Sequence, residues 1–380
     1  MGHMDFSATK IFRSLFGRDP LMVVRAPGRM NLLGEHTDYN GGWCLPAAIQ
    51  HSVYLGLVPS AETSVWSIDQ GNSWIPGQRK DRPSWAIYFE GAMAFLRERG
   101  MTWPAFRLAF GGDLPVGAGL SSSSAITCGL VSLLDHYASW EFSAEQCAAL
   151  AVEAERRAGV AGGMMDQLCI FHACRDMAML LDCTTVSYSY LPAVIPGHGW
   201  LIADTRVRHH LPDSDYNKRS LACREIFYRA LELFPGIPSL SVLDEGQIQE
   251  LYAILTPPHS EYARYVFEEN ARVLEMAGAL GEGEALKAGT LLLAGHEGLR
   301  RQFGVSCPEA DFLVNHARRS ELALGARIMG AGFGGCTLHL INSRDMDAYS
   351  RGITNAFKNR FGWEPHVFEA VPSDGIQRVQ

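Results

Sequence analysis

A chain of 380 residues with 47% apolar side chains has material for one large domain or two, and too much apolar content for a disordered protein. Its net charge of -8, with basic residues only in short pairs such as Arg300-Arg301, gives no cationic surface for a nucleic acid. No apolar run reaches the ~18 residues that span a bilayer.

The leading MGHM reads as an expression remnant, and no signal peptide is expected at the amino end. Nine cysteines lie singly without a C-x-x-C pair, which argues against a disulfide framework or a structural zinc site. Cys128, Cys169 and Cys336 sit in apolar company and are expected as small core residues. A reducing, cytoplasmic setting is the simplest expectation.

Residues 21–26 (LMVVRA) read as a strand that runs into GRMNLLGEHTDYNGG at 28–42. There Glu35, His36, Asp38, Tyr39 and Asn40 crowd between Gly34 and the pair Gly41 and Gly42. Arg29 stands in the apolar run PGRMNLL, where an unpaired charge is costly, so it calls for a partner. Residues 53–58 read as a second strand, 85–99 as a helix and 106–110 as a third strand.

DLPVGAGLSSSSAITCGL follows, starting at Asp113. Gly117 and Gly119 permit tight turns that expose backbone N–H groups, and the serines open an apolar helix expected over 123–136. That is the form of an anion cradle, with hydroxyls as further donors and as a ligand for magnesium. The alternative is an ordinary helix N-cap behind a glycine turn, for which one serine suffices. Without a lysine the loop does not match the Walker pattern.

A helix over 145–157 is entered through Ser143, with Gly159 past its end, and another covers 165–173. Between them GVAGGMMDQLCIF puts Asp166 at a helix start. Helix capping explains an aspartate there. Beside a phosphate loop, so does phosphoryl transfer, which needs a group to orient or deprotonate the attacking hydroxyl. Arg29 is the complementary cation.

Strands are expected at 177–181, 187–191 and 200–204, then helices over 216–233, 261–279 and 308–319. Strands at 326–329 and 337–341, a helix over 346–360 and a strand at 366–368 complete the chain. This mixed order supports α+β over a regular βαβ winding, with a weakly marked boundary between 185 and 198. GAGFGG at 330–335 satisfies G-x-G-x-x-G by letter, but a strand-like segment follows where a dinucleotide site needs a helix. Four glycines between two strands read as backbone that something approaches closely, or as a hairpin turn.

RAPGRMNLLGEHTDYNGG, LPVGAGLSSSSA and IMGAGFGGCTLHL resemble, in order and spacing, the three motifs of the GHMP small-molecule kinases. The first is similar to the galactokinase signature in particular. GGMMDQ at 162–167, VRHHLPDSDYNKR at 207–219, VSCPE at 305–309 and SDG at 373–375 carry the resemblance over nearly the whole chain. It implies a two-domain α+β fold with mixed and antiparallel sheets, domains at 5–190 and 191–380, and an active site between them. It implies ATP-dependent phosphorylation of D-galactose at C1, by a monomer without nucleic-acid or membrane partners. A kinase for another galacto-configured sugar, such as N-acetylgalactosamine, and a non-catalytic galactose and ATP sensor are the alternatives.

The resemblance also assigns roles. Glu35, His36, Asp38, Gly163 and Tyr216 match the sugar-binding positions, and a polyhydroxylated ligand suits such a cluster of short donors and acceptors. Asp166 matches the catalytic carboxylate and Arg29 the basic residue beside it. Gly117, Gly119, Leu120, Ser121, Ser122, Ser123 and Ser124 would hold the ATP phosphates, and Trp85, with Tyr88, lies in a W-x-x-Y segment like that near the adenine. Ser122 (or Ser123) and Glu155 match the magnesium ligands, although the interval from Glu155 to Asp166 is one residue shorter than in galactokinases and nearer that of mevalonate kinases. Ala331 stands where many relatives have glycine and requires a negative φ.

Overall fold

The computed structural model describes residues 5–160, 162–208 and 215–380, with backbone only for 5–9. Met1 to Met4 and positions 209–214 of the VRHHLPDSDYNKR stretch lie outside the described residues.

The first long strand, Met22–Asn31, is mostly apolar and, Arg29 and Asn31 included, is buried at every position but Arg25. It pairs antiparallel with Pro46–Pro59, from Met22 opposite Leu57 to Asn31 opposite Pro46. The register shifts between Pro27 and Arg29. Pro27 has no N–H to donate, and a Cβ on Gly28 would lie 2.3 Å from Leu114 Cδ1, so the sequence Pro-Gly suits this break. The shift is what turns Arg29 toward the helices.

Phe106–Gly112 extends the sheet on the far side of Pro46–Pro59; Ser64–Ser67 runs parallel to it and Asn72–Trp74 forms that edge. At the other edge Gln377–Arg378 pairs with Met22–Asn31. Helices Ala86–Glu98, Ser122–Ala138, Ala144–Arg157 and Met165–His172 pack together, the second and fourth directly on the sheet. Ser143 and Gln146 close a reciprocal capping box at the start of Ala144–Arg157.

A second, antiparallel sheet has the order Ala323–Ile328, Cys336–Asn342, His198–Asp204 and His366–Ala370. A third joins Trp43–Cys44, Met177–Asp182 and Ser187–Pro192. Helix His259–Glu282 lies against the third sheet and also fixes the loop after the first strand. Its Glu269 accepts from Gly34 N at 2.9 Å and its Asn270 from Trp43 N at 2.9 Å. One apolar cluster is continuous from Met30 and Leu55 of the first sheet to Ile202 and Leu338 of the second. The architecture is α+β, as its mixed elements indicated.

Helices Asp5–Phe16, Glu245–Ile254 and Ala285–Glu297 went unread in the sequence. The third carries two internal glycines and has no side-chain cap, both of which argue against a helix locally. Packing explains the glycines. A Cβ on Gly289 would lie 2.4 Å from Leu324 O, and one on Gly325 would lie 2.0 Å from Gly289 O, so helix and strand touch backbone to backbone. Among the described residues no helix is long and apolar enough to cross a membrane. All nine cysteines are free, and Cys128, Cys169 and Cys336 are fully buried.

Two glycine substitutions should part in sign. Gly325→Ala must displace backbone and should cost ~1–3 kcal/mol by urea denaturation. Gly352→Ala, on an exposed helix position with nothing within 4 Å of the new Cβ, should stabilise by ~0.5–1 kcal/mol. Equal effects would contradict the packing described for Gly325.

Candidate active site

A cleft with about 1120 Å³ of empty space collects residues from the first motif, the serine loop, the GGMMDQ turn and the glycine hairpin. Arg29 enters from the strand break, and Glu35, His36 and Asp38 from the loop that follows. Gly117, Gly119 and the four serines come from the loop that opens Ser122–Ala138. Glu155 comes from Ala144–Arg157, Gly163 and Asp166 from the turn into Met165–His172, and Tyr216 from Asp215–Leu233. The glycine hairpin between Ala323–Ile328 and Cys336–Asn342 forms another wall.

Asp166 is where the serine loop and the first motif meet. Its Oδ1 accepts from Arg29 Nε at 2.7 Å and its Oδ2 from Ser121 Oγ at 2.5 Å. Arg29 also donates from Nη1 to Gly119 O at 2.7 Å. Burial opposes the Arg29 charge, yet the carboxylates of Asp166 and Glu35 hold its pKa above the ordinary value. The capping explanation for Asp166 therefore gives way, since its oxygens are committed to a guanidinium and a hydroxyl. Ser121 does not cap either: it sits in the left-handed region at φ 61° with no side-chain cap bond. The first turn of Ser122–Ala138 keeps its N–H groups for the cleft.

On the opposite side, Glu35 accepts from Gly330 N at 2.7 Å. His36 Nδ1 is 2.7 Å from Tyr39 Oη, and its ring packs on Tyr39, Tyr216 and Phe303. A Cβ on Gly163 would lie 2.2 Å from Asp38 Oδ2, so only glycine leaves room for that carboxylate.

The galactose-binding signature of galactokinases matches residues 10–58, and the GHMP kinase N-terminal and C-terminal models match 87–173 and 276–359. A galactokinase of Thermotoga petrophila is 33% identical over 94% of this chain and 100% of its own. One from Roseiflexus sp. is 33% identical over 97% and 95%. The chain belongs to the galactokinase family. The crystal structure of Lactococcus lactis galactokinase, complexed with galactose, superposes with a TM-score of 0.89 at 28% identity, covering 98% of this chain and 99% of that one. Methanococcus jannaschii mevalonate kinase, at 16% identity and a TM-score of 0.63 over 93% and 98%, shares the fold. As a kinase of this family the protein is an enzyme that takes ATP as co-substrate.

Among the residues that match galactokinase positions, Trp85 and Leu120 do not line the cleft. The Trp85 ring is buried in the core, edge-on to Phe89 and Phe110, and its Nε1 donates to Asn72 Oδ1 at 2.9 Å. Leu120 takes part through its carbonyl, which accepts from Arg29 N at 3.2 Å. Tyr88, in the same W-x-x-Y segment, has its pKa raised by burial and by the Glu155 carboxylate, against Ser123.

Glu155 is buried beside the serines. Its Oε2 accepts from Ser124 Oγ at 2.8 Å and from Gln167 Nε2. Burial pushes its pKa up, against the bonds from Ser123, Ser124 and Gln167. Gln167 Oε1 is buried without a partner. Hydroxyl, carboxylate and amide oxygens together suit a hard cation that keeps part of its water shell, which is magnesium chemistry. Ala331 is absent from the residues with positive φ, whereas Phe333 holds φ 59°.

The sequence reading missed Gln167 and Arg327. Arg327 is fully buried, 3.2 Å from Glu35 Oε1. It had the same signal as Arg29: one charge inside an apolar strand.

Two cleft residues titrate in opposing directions. Burial, with Asp166 nearby, raises Asp38 from 3.8 to about 7, so the folded state binds more protons and stability falls as pH rises through that window. Burial lowers His36 from 6.5 to about 3, so the unfolded state binds more protons and stability rises over that window. The contributions offset between about pH 4 and 6.5. Asp38→Asn removes only the falling one. Its unfolding free energy should therefore climb more steeply with pH over this range than that of the wild type; parallel curves would contradict the assignment.

Proposed function

We propose that the protein transfers the γ-phosphoryl group of ATP to the C1 hydroxyl of D-galactose, giving α-D-galactose 1-phosphate and ADP. The observation that carries this reading is the position of Asp166. Its carboxylate is bonded to Ser121 of the phosphate loop and to Arg29, in a cleft whose other wall holds Glu35, His36 and Asp38.

In this reading Glu35, His36, Asp38, Gly163 and Tyr216 hold the sugar hydroxyls. Gly117, Gly119, Leu120, Ser121, Ser122, Ser123 and Ser124 receive the phosphates through backbone N–H groups and hydroxyls. Asp166 orients the C1 hydroxyl and accepts its proton as the new O–P bond forms and the bond to ADP breaks. Arg29 fixes the carboxylate and adds positive charge where negative charge develops. Ser122 and Glu155 would hold magnesium, which when bound offsets charge on the phosphates. Trp85 backs the adenine side through the core. Domains at 5–190 and 191–380 and action as a monomer belong to the same proposal, supported by a cleft that one chain lines from both halves. Free cysteines support a reducing, cytoplasmic setting.

The test is ADP release from magnesium-ATP with galactose, N-acetylgalactosamine, galacturonate, arabinose and glucose offered separately. Galactose should be the strongly preferred acceptor. Faster turnover with another sugar would overturn the substrate, and none with any would overturn the activity. Asp166→Asn should still bind galactose and ATP by calorimetry while kcat drops by roughly a hundred- to ten-thousand-fold. Unchanged kcat would remove Asp166 from the mechanism. Glu155→Gln should raise the magnesium concentration for half-maximal rate by about ten- to a hundredfold, and an unchanged requirement would move the metal elsewhere.

A further inference from the structure

Arg327 lies at the end of Ala323–Ile328, just before the glycine hairpin, and is completely buried. It reaches back to the first motif. Nη1 donates to Leu32 O at 2.9 Å and Asn31 O at 3.3 Å, Nε to Ile328 O at 3.1 Å, and Nη2 lies 3.2 Å from Glu35 Oε1. The same Oε1 accepts from Gly330 N. Gly330 N makes the hydrogen bond to this oxygen, and the guanidinium stands beside it as an ion pair, with Nη2 making no hydrogen bond of its own; among the described residues no hydrogen bond is made to Oε2.

We propose that Arg327 is a positioning residue for sugar recognition: with Gly330 N it occupies one oxygen of Glu35 and so dedicates the other to a single hydroxyl of the acceptor. This rests on the galactokinase reading of the cleft. A carboxylate free at both oxygens rotates and satisfies hydroxyls in several directions. One held at a single oxygen by a backbone N–H, with a buried positive charge beside that oxygen, keeps its other acceptor lone pairs in a fixed direction. A site built to bond a particular hydroxyl discriminates strongly against the analogue that lacks it. The guanidinium also ties Leu32 and Asn31 to Ile328, so the sugar loop and the glycine hairpin keep one geometry.

The experiment compares wild type, Arg327→Met, Arg327→Lys and Glu35→Gln with galactose and its 2-, 3-, 4- and 6-deoxy derivatives. Steady-state kinetics are paired with calorimetric sugar binding. For Arg327→Met, kcat/KM for galactose should fall on the order of a hundredfold, chiefly through the sugar KM, with the KM for ATP unchanged. The penalty that wild type shows for one particular deoxy sugar should shrink in that variant, and for the same sugar in Glu35→Gln. Arg327→Lys keeps the charge without the fork and should fall between, which guards against a Met variant that fails to fold.

A uniform loss for all sugars and for ATP, or an unaltered deoxy pattern, would overturn the inference while leaving the galactokinase reading intact. Wild-type protein that neither binds nor phosphorylates galactose would overturn both.

Discussion

A guanidinium whose side chain is only 6% exposed has to be neutralised, and the arrangement of the cleft follows from how Arg29 meets that requirement. Its partners come from segments distant in the chain: the carboxylate of Asp166 and the carbonyl of Gly119. Breaking the pair would strand a charge in a low-dielectric wall, so the strand, the serine loop and the helix Met165–His172 are held to a common geometry. Ser121 completes it from the loop side. The charge that burial forces to be neutralised is therefore also the charge that aligns the motifs.

Close backbone contact does the same for the rest of the cleft. A Cβ on Gly330 would lie 2.8 Å from Gly119 Cα, and one on Gly335 would lie 2.8 Å from Ala118 O. The serine loop and the glycine hairpin thus touch without intervening side chains, and Thr205, just past His198–Asp204, anchors the hairpin by donating twice to Gly335 O. Glycine at these positions serves proximity, and the positive φ of Gly330 and Gly335 makes a side chain doubly unfavourable.

Much of this was legible in the sequence because local rules and tertiary demands agree. The break at Pro27-Gly28, the Ser143 cap and the apolar run after the serines each announce themselves within a few residues. So did the cleft residues of the first motif, because hydrogen-bonding groups packed between glycines have few structural uses. What stayed hidden depended on distant partners. Ala285–Glu297 looks glycine-weakened until Leu324 and Gly325 are placed against it. Trp85 has aromatic and helical surroundings that suit a base or a core equally, and only the fold puts Phe89 and Phe110 around it. Arg327 had a readable signal, but its partner stands at Glu35, at the far end of the chain's order.

The edge pairing of Gln377–Arg378 with Met22–Asn31 has a meaning for how the molecule is assembled over time. Arg25 donates to Asp374 O, 349 positions away, so the strand that leads to Arg29 is among the first made and among the last to be covered. Closing so long a loop carries an entropic cost that contacts elsewhere must already have offset. Until then the strand presents an open hydrogen-bonding edge to any neighbouring chain. During synthesis this edge of Met22–Asn31 therefore stays unpaired until the last residues of the chain have been made.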